Sequence, residues 1–314
     1  MTNFQKFELE RERIKNGIYK LNDFEFRICS CCREPFRHGC TFINYNGVGL
    51  WACGCCETNI GYKDKKMEYK IAIDADSLVS KSLHRFPPEE KIENGVTIYD
   101  VEKAYFDFCT EIGKIKGAIF FGYCEYEKGD TVEIKILLSP RKSFRHDIYQ
   151  DYKAKRPERS PQRVELMKTI LRRLRSWVEI KENVEADDLA IYYSQQGWLV
   201  SAIDKDVQKA CVTSCYDYNK YSWSLPYSQE AVENWYLVQA LMGDSTDNIK
   251  GAKGIGEVGA FKIVHEMEYK HFSNIVQYFE SYEDAVLNMR LVRMDQWNGS
   301  EVILWNPTTE EQLI

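Results

Sequence analysis

The chain has no apolar run approaching the roughly 18 residues that a membrane span requires. Its first residues, Met1 to Glu8, lack the apolar core of a secretory signal. Internal repeats and low-complexity tracts are missing as well. Positive charge is not in excess either, because the formal net charge is −6. Together these absences predict a cytoplasmic protein with no membrane partner. What remains is ordinary for a globular chain: 314 residues, 44% hydrophobic and 29% charged, enough for one large domain or two smaller ones.

The net charge conceals two unlike parts. Residues 140–181 hold thirteen Lys+Arg against five Asp+Glu, a local net of +8 that leaves −14 for the rest. A basic stretch beside an acidic one suits a protein that grips a phosphate backbone next to a metal site.

The acids are patterned. Asp74 ends the apolar run from Tyr69, and Glu185-Ala-Asp187-Asp188 places three carboxylates in four residues. Asp204-Lys-Asp206 follows the run Trp198 to Ile203, and Asp244-Ser-Thr-Asp247 follows Val238 to Met242. Four apolar segments each deliver acids near one end, the way an α/β sheet assembles oxygen ligands for Mg²⁺ or Mn²⁺. Two such ions roughly 4 Å apart activate a water and stabilise a leaving oxygen in phosphodiester hydrolysis. A helix N-terminus at 184–196 would ease the repulsion within the Glu185 group. Any one of these pairs alone could equally be solvated acids or helix caps.

Two further segments carry chemistry. In Ser143 to Pro157, Arg145, Lys153 and Arg156 could each hold a phosphate and Tyr152 could stack on an unpaired base, against the plainer reading of an exposed basic helix. In Ala252-Lys253-Gly254-Ile-Gly256, two glycines flank an apolar residue ahead of a small residue at Ala260, a helix-hairpin-helix template. Gly254 and Gly256 would let backbone amides approach a phosphate. The elements around them read as strands at 69–75 and 132–138, helices at 101–115 and 184–196, and a helical region at 229–294. A further helix is expected from the cap Ser160-Pro161, with an apolar face reaching Trp177 and Val178. Alternating strands and helices predict a mostly parallel sheet flanked by helices.

In order and spacing, Glu185-Ala-Asp-Asp188, Asp204-Lys-Asp206 and Ala240-Leu-Met-Gly-Asp244-Ser-Thr-Asp247 resemble motifs of the 5′-nuclease (flap endonuclease) superfamily. Ser143-Phe-Arg145-His and Tyr152-Lys153-Ala-Lys-Arg156-Pro are similar to its arch. The resemblance covers residues 69–294 and points to bacteriophage 5′→3′ exonucleases and the 5′-nuclease domain of bacterial DNA polymerase I. With no polymerase segment following, the standalone phage type is expected, in the host cytoplasm if phage-encoded. The resemblance implies an α/β PIN-like fold with an arch at about 141–180. It implies metal ligation by Asp74, Glu185, Asp187, Asp188, Asp204, Asp206, Asp244 and Asp247, two ions of Mg²⁺ or Mn²⁺, Lys153 and Arg145 on the scissile phosphate, and Tyr152 on a base. The hairpin around Lys253, Gly254 and Gly256 would bind duplex DNA, its carbonyls holding K⁺. The implied activity is 5′→3′ exonuclease or 5′-flap cleavage of DNA, or of RNA primers in hybrids. One position departs: Leu138 stands seven residues before Arg145, where the family carries an aspartate. That leaves Asp76 or Asp130 as substitutes, or a weaker first metal. A DNA-binding replication scaffold without catalysis and a PIN-type ribonuclease are the alternatives.

Seven of the eleven cysteines lie within residues 29–56. Cys29-x₂-Cys32 and Cys53-x₂-Cys56 have the spacing of a four-thiolate Zn²⁺ site, with disulfide and iron–sulfur readings as rivals. This zinc-ribbon-like module could recruit a replication protein. The expected domains are 1–66 for the tail and cysteine module, 67–228 for the catalytic α/β domain with its arch, and 229–314 for the duplex-binding region.

Overall fold

The computed structural model describes residues 68–93, 96–118, 131–267 and 269–307, together with the backbone of five short strands that precede them. The chain divides into two compact units, Met1–Lys66 and Met67–Ile314. In the first, β1 (Ile18–Leu21), β2 (Phe24–Ile28) and β3 (Pro35–Phe36) form an antiparallel sheet. A separate hairpin pairs β4 (Thr41–Tyr45) with β5 (Val48–Ala52). Cys29, Cys32, Cys53 and Cys56, expected to hold zinc, lie outside the described residues.

The second unit begins with β6 (Glu68–Asp74), where Ile71, Ala72 and Ile73 are all buried. A strand buried on both faces reads as a continuous apolar run and needs helices on each side. Those helices alternate with the strands. After β6 come α1 (Asp76–Arg85), an exposed antiparallel hairpin of β7 (Glu89–Glu93) and β8 (Val96–Asp100), and α2 (Glu102–Ala118). Then follow β9 (Thr131–Leu137), α3 (Phe144–Ile148), α4 (Pro161–Arg173), β10 (Val178–Glu179) and α5 (Ala186–Gln195). The sheet is completed by β11 (Leu199–Ser201), α6 (Lys205–Ala210), β12 (Cys215–Asp217) and β13 (Ser222–Ser224). Its order is β10-β9-β6-β11-β12-β13, parallel throughout except for the antiparallel edge strand β13.

Side chains alternate across this sheet into two cores. Ile71, Ile73, Ile136 and Leu138 face Phe108 of α2 and Leu166 and Ile170 of α4. Ala72, Leu137 and Val200 face Leu189 of α5 and the C-terminal helices. The latter are α7 (Gln229–Met242), α8 (Glu257–Glu266), α9 (Phe272–Val276) and α10 (Tyr282–Val292). This is the expected class: a mostly parallel sheet flanked by helices.

Two local expectations change. Ser160 does cap α4, accepting from the Arg163 amide with Pro161 at the first position. The helix then stops at Arg173, so the apolar stripe does not continue and Trp177 is 47% exposed. Trp177 instead lends its carbonyl to the Ile136 amide at the sheet edge. The segment expected to form an arch, 141–180, is in part core: Phe144, Arg145, Tyr152, Leu166, Met167 and Ile170 are buried.

Because β6 lies centrally, the chain leaves it for β9 on one side and β11 on the other. The C-terminal ends of these strands form the crevice where α/β sheets place ligands. Asp74 ends β6, Asp204 follows β11 and caps α6, and Glu185 caps α5.

Candidate active site

A cleft of about 1340 Å³ opens over these strand ends. It is lined by Asp74, Asp187, Asp204, Asp206, Asp244 and Asp247, together with Lys153 and Arg156. The chain positions these acids through backbone caps. Asp204 Oδ1 accepts from the Asp206 amide at 2.8 Å, and Asp244 Oδ1 accepts from the Thr246 amide at 2.7 Å. Capping fixes each carboxylate at the start of its element and leaves the second oxygen for other partners.

The acids fall into two groups. Glu185, Asp188 and Asp247 already have protein counter-charges. Arg145 is 2% exposed, and its two terminal nitrogens each bond Asp188 at 2.7 Å. Its Nη1 also reaches Glu185 at 3.3 Å, while Nε and Nη2 donate to the carbonyls of Leu291 and Arg293 at 2.8 and 2.7 Å. Lys153 Nζ donates to Glu185 Oε1 at 2.6 Å and lies 3.5 Å from Asp247. Tyr152 donates its hydroxyl to Glu185 at 2.9 Å, and Arg156 pairs with Asp247. Burial alone would push Glu185 up, but Lys153 and then Arg145 outweigh it and hold its carboxyl at about 2.

This geometry departs from three expected roles, those of Arg145, Tyr152 and Asp188. Arg145 has no donor left for a phosphate, so it serves as an internal bolt between α3, the start of α5 and the end of α10. Tyr152 is 3% exposed, with its ring edge-on to His146 at 5.1 Å, and presents no face to a nucleobase. Asp188, with both oxygens engaged by Arg145, is an anchor for that bolt and is not presented to an ion. Lys153 stands at the rim with φ of 56°, a left-handed conformation costly for a residue with a side chain. Its amide donates to the Asp247 carbonyl at 2.9 Å, while Asn248, itself at φ 60°, donates to the Asp151 carbonyl. The two loops are thereby zipped together, and the lysine head is aimed into the cleft.

The second group is Asp74, Asp187, Asp204, Asp206 and Asp244, which form no ion pair with a Lys or Arg among the described residues. Burial first, then Asp76 and Asp204, push Asp74 up to about 7. Burial, Asp74 and Asp204 push Asp187 well above the usual carboxylate range. Burial, Asp204 and Asp244 push Asp206 up to about 6. Each shift combines burial with neighbouring acids, which Arg163 at Asp74, Lys153 at Asp187 and Lys205 at Asp206 offset only in part. Asp206 Oδ1 and Gln239 Oε1, both on the cleft residues, are buried and accept from no donor. Hard oxygens with unsatisfied lone pairs and excess negative charge fit a divalent cation. Among the described residues no three carboxylate, histidine or cysteine side chains already close around one point. Magnesium sites behave this way, using one or two carboxylates and leaving the remaining positions to water and phosphate oxygens.

Leu138 is fully buried in the core and offers nothing to the cleft. Asp76, one of its two suggested substitutes, accepts from the Ser139 amide at 3.1 Å and from Arg163 at 3.0 Å. It reaches the strand end beside Leu138 with its charge already matched. Asp130, the other, lies outside the described residues. Sequence reasoning missed Ser139, whose hydroxyl accepts from the Ala186 amide and sets the start of α5. It also missed Gln239, for which the sequence holds no signal beyond a polar residue inside an apolar helix.

Further along, Gly243 and Gly251 cross so closely that a Cβ on either would lie 2.5 Å from the other strand's backbone, and both have φ of 66°. This crossing fixes Asp244 relative to the hairpin. Gly254 has φ of 76° and Gly256 caps α8, with Lys253, Gly254 and Gly256 all exposed. The amides at the start of α8 are thus free to meet an anion.

No family model matches the chain. Over 144 residues it is 35% identical to DNA polymerase I of Bacillus caldotenax, a match spanning 40% of this chain and 16% of that protein. It is 28% identical over 187 residues to a 5′-3′ exonuclease of Aquifex aeolicus, spanning 51% of this chain and 64% of that one. The chain therefore spans about a sixth to two thirds of the length of these curated relatives. Among solved structures, the T5 5′-exonuclease with bound zinc superimposes with a TM-score of 0.54 at 18% identity, covering 73% of this chain and 90% of that chain. A T5 flap endonuclease complex with DNA and metal ions gives 0.54 at 17%, covering 72% and 89%. The fold is that of the T5 5′-exonuclease: a PIN-like, mostly parallel α/β sheet. Among the described residues no helix is long and apolar enough to cross a membrane.

Proposed function

We propose that this chain is a divalent-cation-dependent 5′ nuclease that hydrolyses phosphodiester bonds of DNA carrying a free 5′ end or flap. The observation that carries the reading is the uncompensated acid group of Asp74, Asp187, Asp204, Asp206 and Asp244 in one cleft with the cationic rim of Lys153 and Arg156. The similarity to exonuclease and polymerase I sequences supports it. Asp74 and Asp187 would hold one ion and Asp204 and Asp206 the other, with Asp244 reaching the second through water. Bound there, two such ions would supply an activated water and neutralise charge on the reacting phosphate.

The chain's own groups do the rest. Lys153, held on Glu185 at the cleft, would place its ammonium on the scissile phosphate, where charge develops in the transition state. Arg156 holds a neighbouring phosphate. The exposed amides around Gly254 and Gly256, with Lys253, hold the duplex backbone beyond it. Glu185 stays ionised and holds the Lys153 head in place through their hydrogen bond. Mg²⁺ or Mn²⁺ is the metal that this all-oxygen donor set favours. Zinc belongs to the cysteine module, through Cys29, Cys32, Cys53 and Cys56.

Cleavage of a 5′-labelled duplex in Mg²⁺ and Mn²⁺ tests the reading. Asp204→Asn should abolish product. Lys153→Ala should lower turnover by about 10²-fold or more while duplex affinity changes little, because other cations still hold the backbone. Tight duplex binding by the unmodified chain, with no hydrolysis in either metal, would replace the enzyme with the scaffold that Leu138 suggests.

A further inference from the structure

The acids Asp204 and Asp206 sit on α6, a helix of only six residues. So short a helix has little stability of its own, and its position is set by what it packs against. Val207 and Ala210 enter the core. On another side Lys209 lies with Nζ 3.4 Å from the ring centre of Trp235 on α7 and 5.2 Å from that of Phe261 on α8. The two rings are themselves 5.7 Å apart and tilted by 35°, so the ammonium is held by an aromatic pair. Trp235 is buried, and a cation over such a ring is bound more strongly than at an exposed one. At the other end of α6, Lys205 Nζ stands 3.5 Å from Glu257, the first residue of α8. One short helix is therefore pinned at both ends to the helix that Gly256 opens.

We propose that Lys209 is a positioning residue that couples occupancy of the glycine hairpin to the placement of Asp204 and Asp206. The inference rests on the reading of the hairpin as a duplex site. A phosphate taken up at the start of α8 would displace that helix as one unit, its buried Ala260 and Val264 moving with it. Phe261 moves with it and carries Lys209, and hence α6, into the register that a divalent cation requires. The result is a nuclease whose cation site tightens when duplex is seated some distance away. By reciprocity, the cation tightens duplex binding by the same factor.

The test uses the full chain and a closed dumbbell duplex, which can occupy the hairpin but has no 5′ end to reach the acids. Free Mn²⁺ is followed by electron paramagnetic resonance with and without the dumbbell. For the unmodified protein the dumbbell should lower the Mn²⁺ dissociation constant by about fivefold or more. In Lys209→Ala and Lys209→Met each ligand should bind alone as before, with the linkage gone. Lys209→Met fills the aromatic slot without charge and serves if the alanine variant fails to fold. Lys209→Arg keeps a cation over the rings and should restore the linkage. Linkage retained in both uncharged variants, no linkage in the unmodified protein, or no dumbbell binding at all would each overturn the proposal. Cleavage of an open-ended duplex is scored separately, so an inert protein that still shows the linkage would sink the nuclease reading and leave this one standing.

Discussion

Two halves of one carboxylate cluster behave as opposites. Glu185, Asp188 and Asp247 are matched by Arg145, Lys153, Arg156 and the Tyr152 hydroxyl, and the structure is complete around them. Asp187 faces Asp74 and Asp204, Asp206 faces Asp204 and Asp244, and burial with these neighbours pushes the carboxyls of Asp74, Asp187 and Asp206 up. The first half stabilises the fold by having its counter-charges built in. The second costs stability until something cationic arrives from outside. The same residue type thus performs structural or functional work according to where its positive charge comes from.

The largest effect should come from breaking the matched half. Arg145→Met removes the cation between two buried carboxylates, takes the Arg145 donor from the Leu291 carbonyl and leaves the Arg293 carbonyl with Gln296. Removing one partner of a buried ion pair costs about 3–5 kcal/mol, and chemical denaturation should read a loss of that size. Arg145→Lys should recover little, because one ammonium cannot serve two carboxylate oxygens and two carbonyls in a planar fork. A variant as stable as the parent would show that the bolt is ornamental.

The unmatched half should show itself through pH. Burial and its acidic neighbours push Asp74 up to about 7 in the folded chain, above the ordinary carboxylate range, so the folded state binds the proton more tightly. An acid shifted upward contributes stability that is full below the unfolded value and is lost as pH rises through the folded one. Metal-free protein should therefore be more stable near pH 5 than near pH 8, by about 2 kcal/mol from this group. Asp206, at about 6, adds in the same direction. Denaturation in a chelator at the two pH values measures the difference, and Mn²⁺ should erase it by supplying the missing charge at pH 8. Asp74→Asn should flatten the profile. A profile that rises towards pH 8 would mean that the acids are solvated after all.

How much of this could be read beforehand follows the same division. Acids at the ends of apolar runs were visible because strand ends and caps are local features, and the parallel sheet followed from uninterrupted apolar strands such as Ile71 to Ile73. That Arg145 and Tyr152 turn inward was not visible, since a basic, aromatic segment looks alike in solvent and in a core. Arg145 is capped by the end of α10, some 145 residues later in the chain, which supplies the Leu291 carbonyl, and Tyr152 by Glu185 and Asp247. The early stop of α4 at Arg173 also escaped notice, because the apolar spacing continues to Trp177 while the chain must turn to enter β10. The hairpin of β7 and β8 did leave a signal: Asn94-Gly95 between two alternating runs is a strong turn sequence. The crossing of Gly243 and Gly251 left two glycines eight residues apart, and nothing local says that they meet.

The smallest stability effect should fall on Arg156, and there the comparison is sharpest. Its guanidinium pairs with Asp247 as Arg145 pairs with Asp188, yet its side chain is 48% exposed where that of Arg145 is 2% exposed. Water screens the exposed pair, and Lys153 remains 3.5 Å from Asp247 to hold the charge. Arg156→Ala should therefore cost no more than about 1 kcal/mol of stability. Its effect on duplex binding should be larger, with the salt dependence of affinity reduced by close to one phosphate contact. Fluorescence anisotropy with a labelled duplex, titrated across salt concentrations, gives that slope directly. An unchanged slope alongside a stability loss like that of Arg145→Met would place Arg156 with the internal bolts and take it off the nucleic-acid rim.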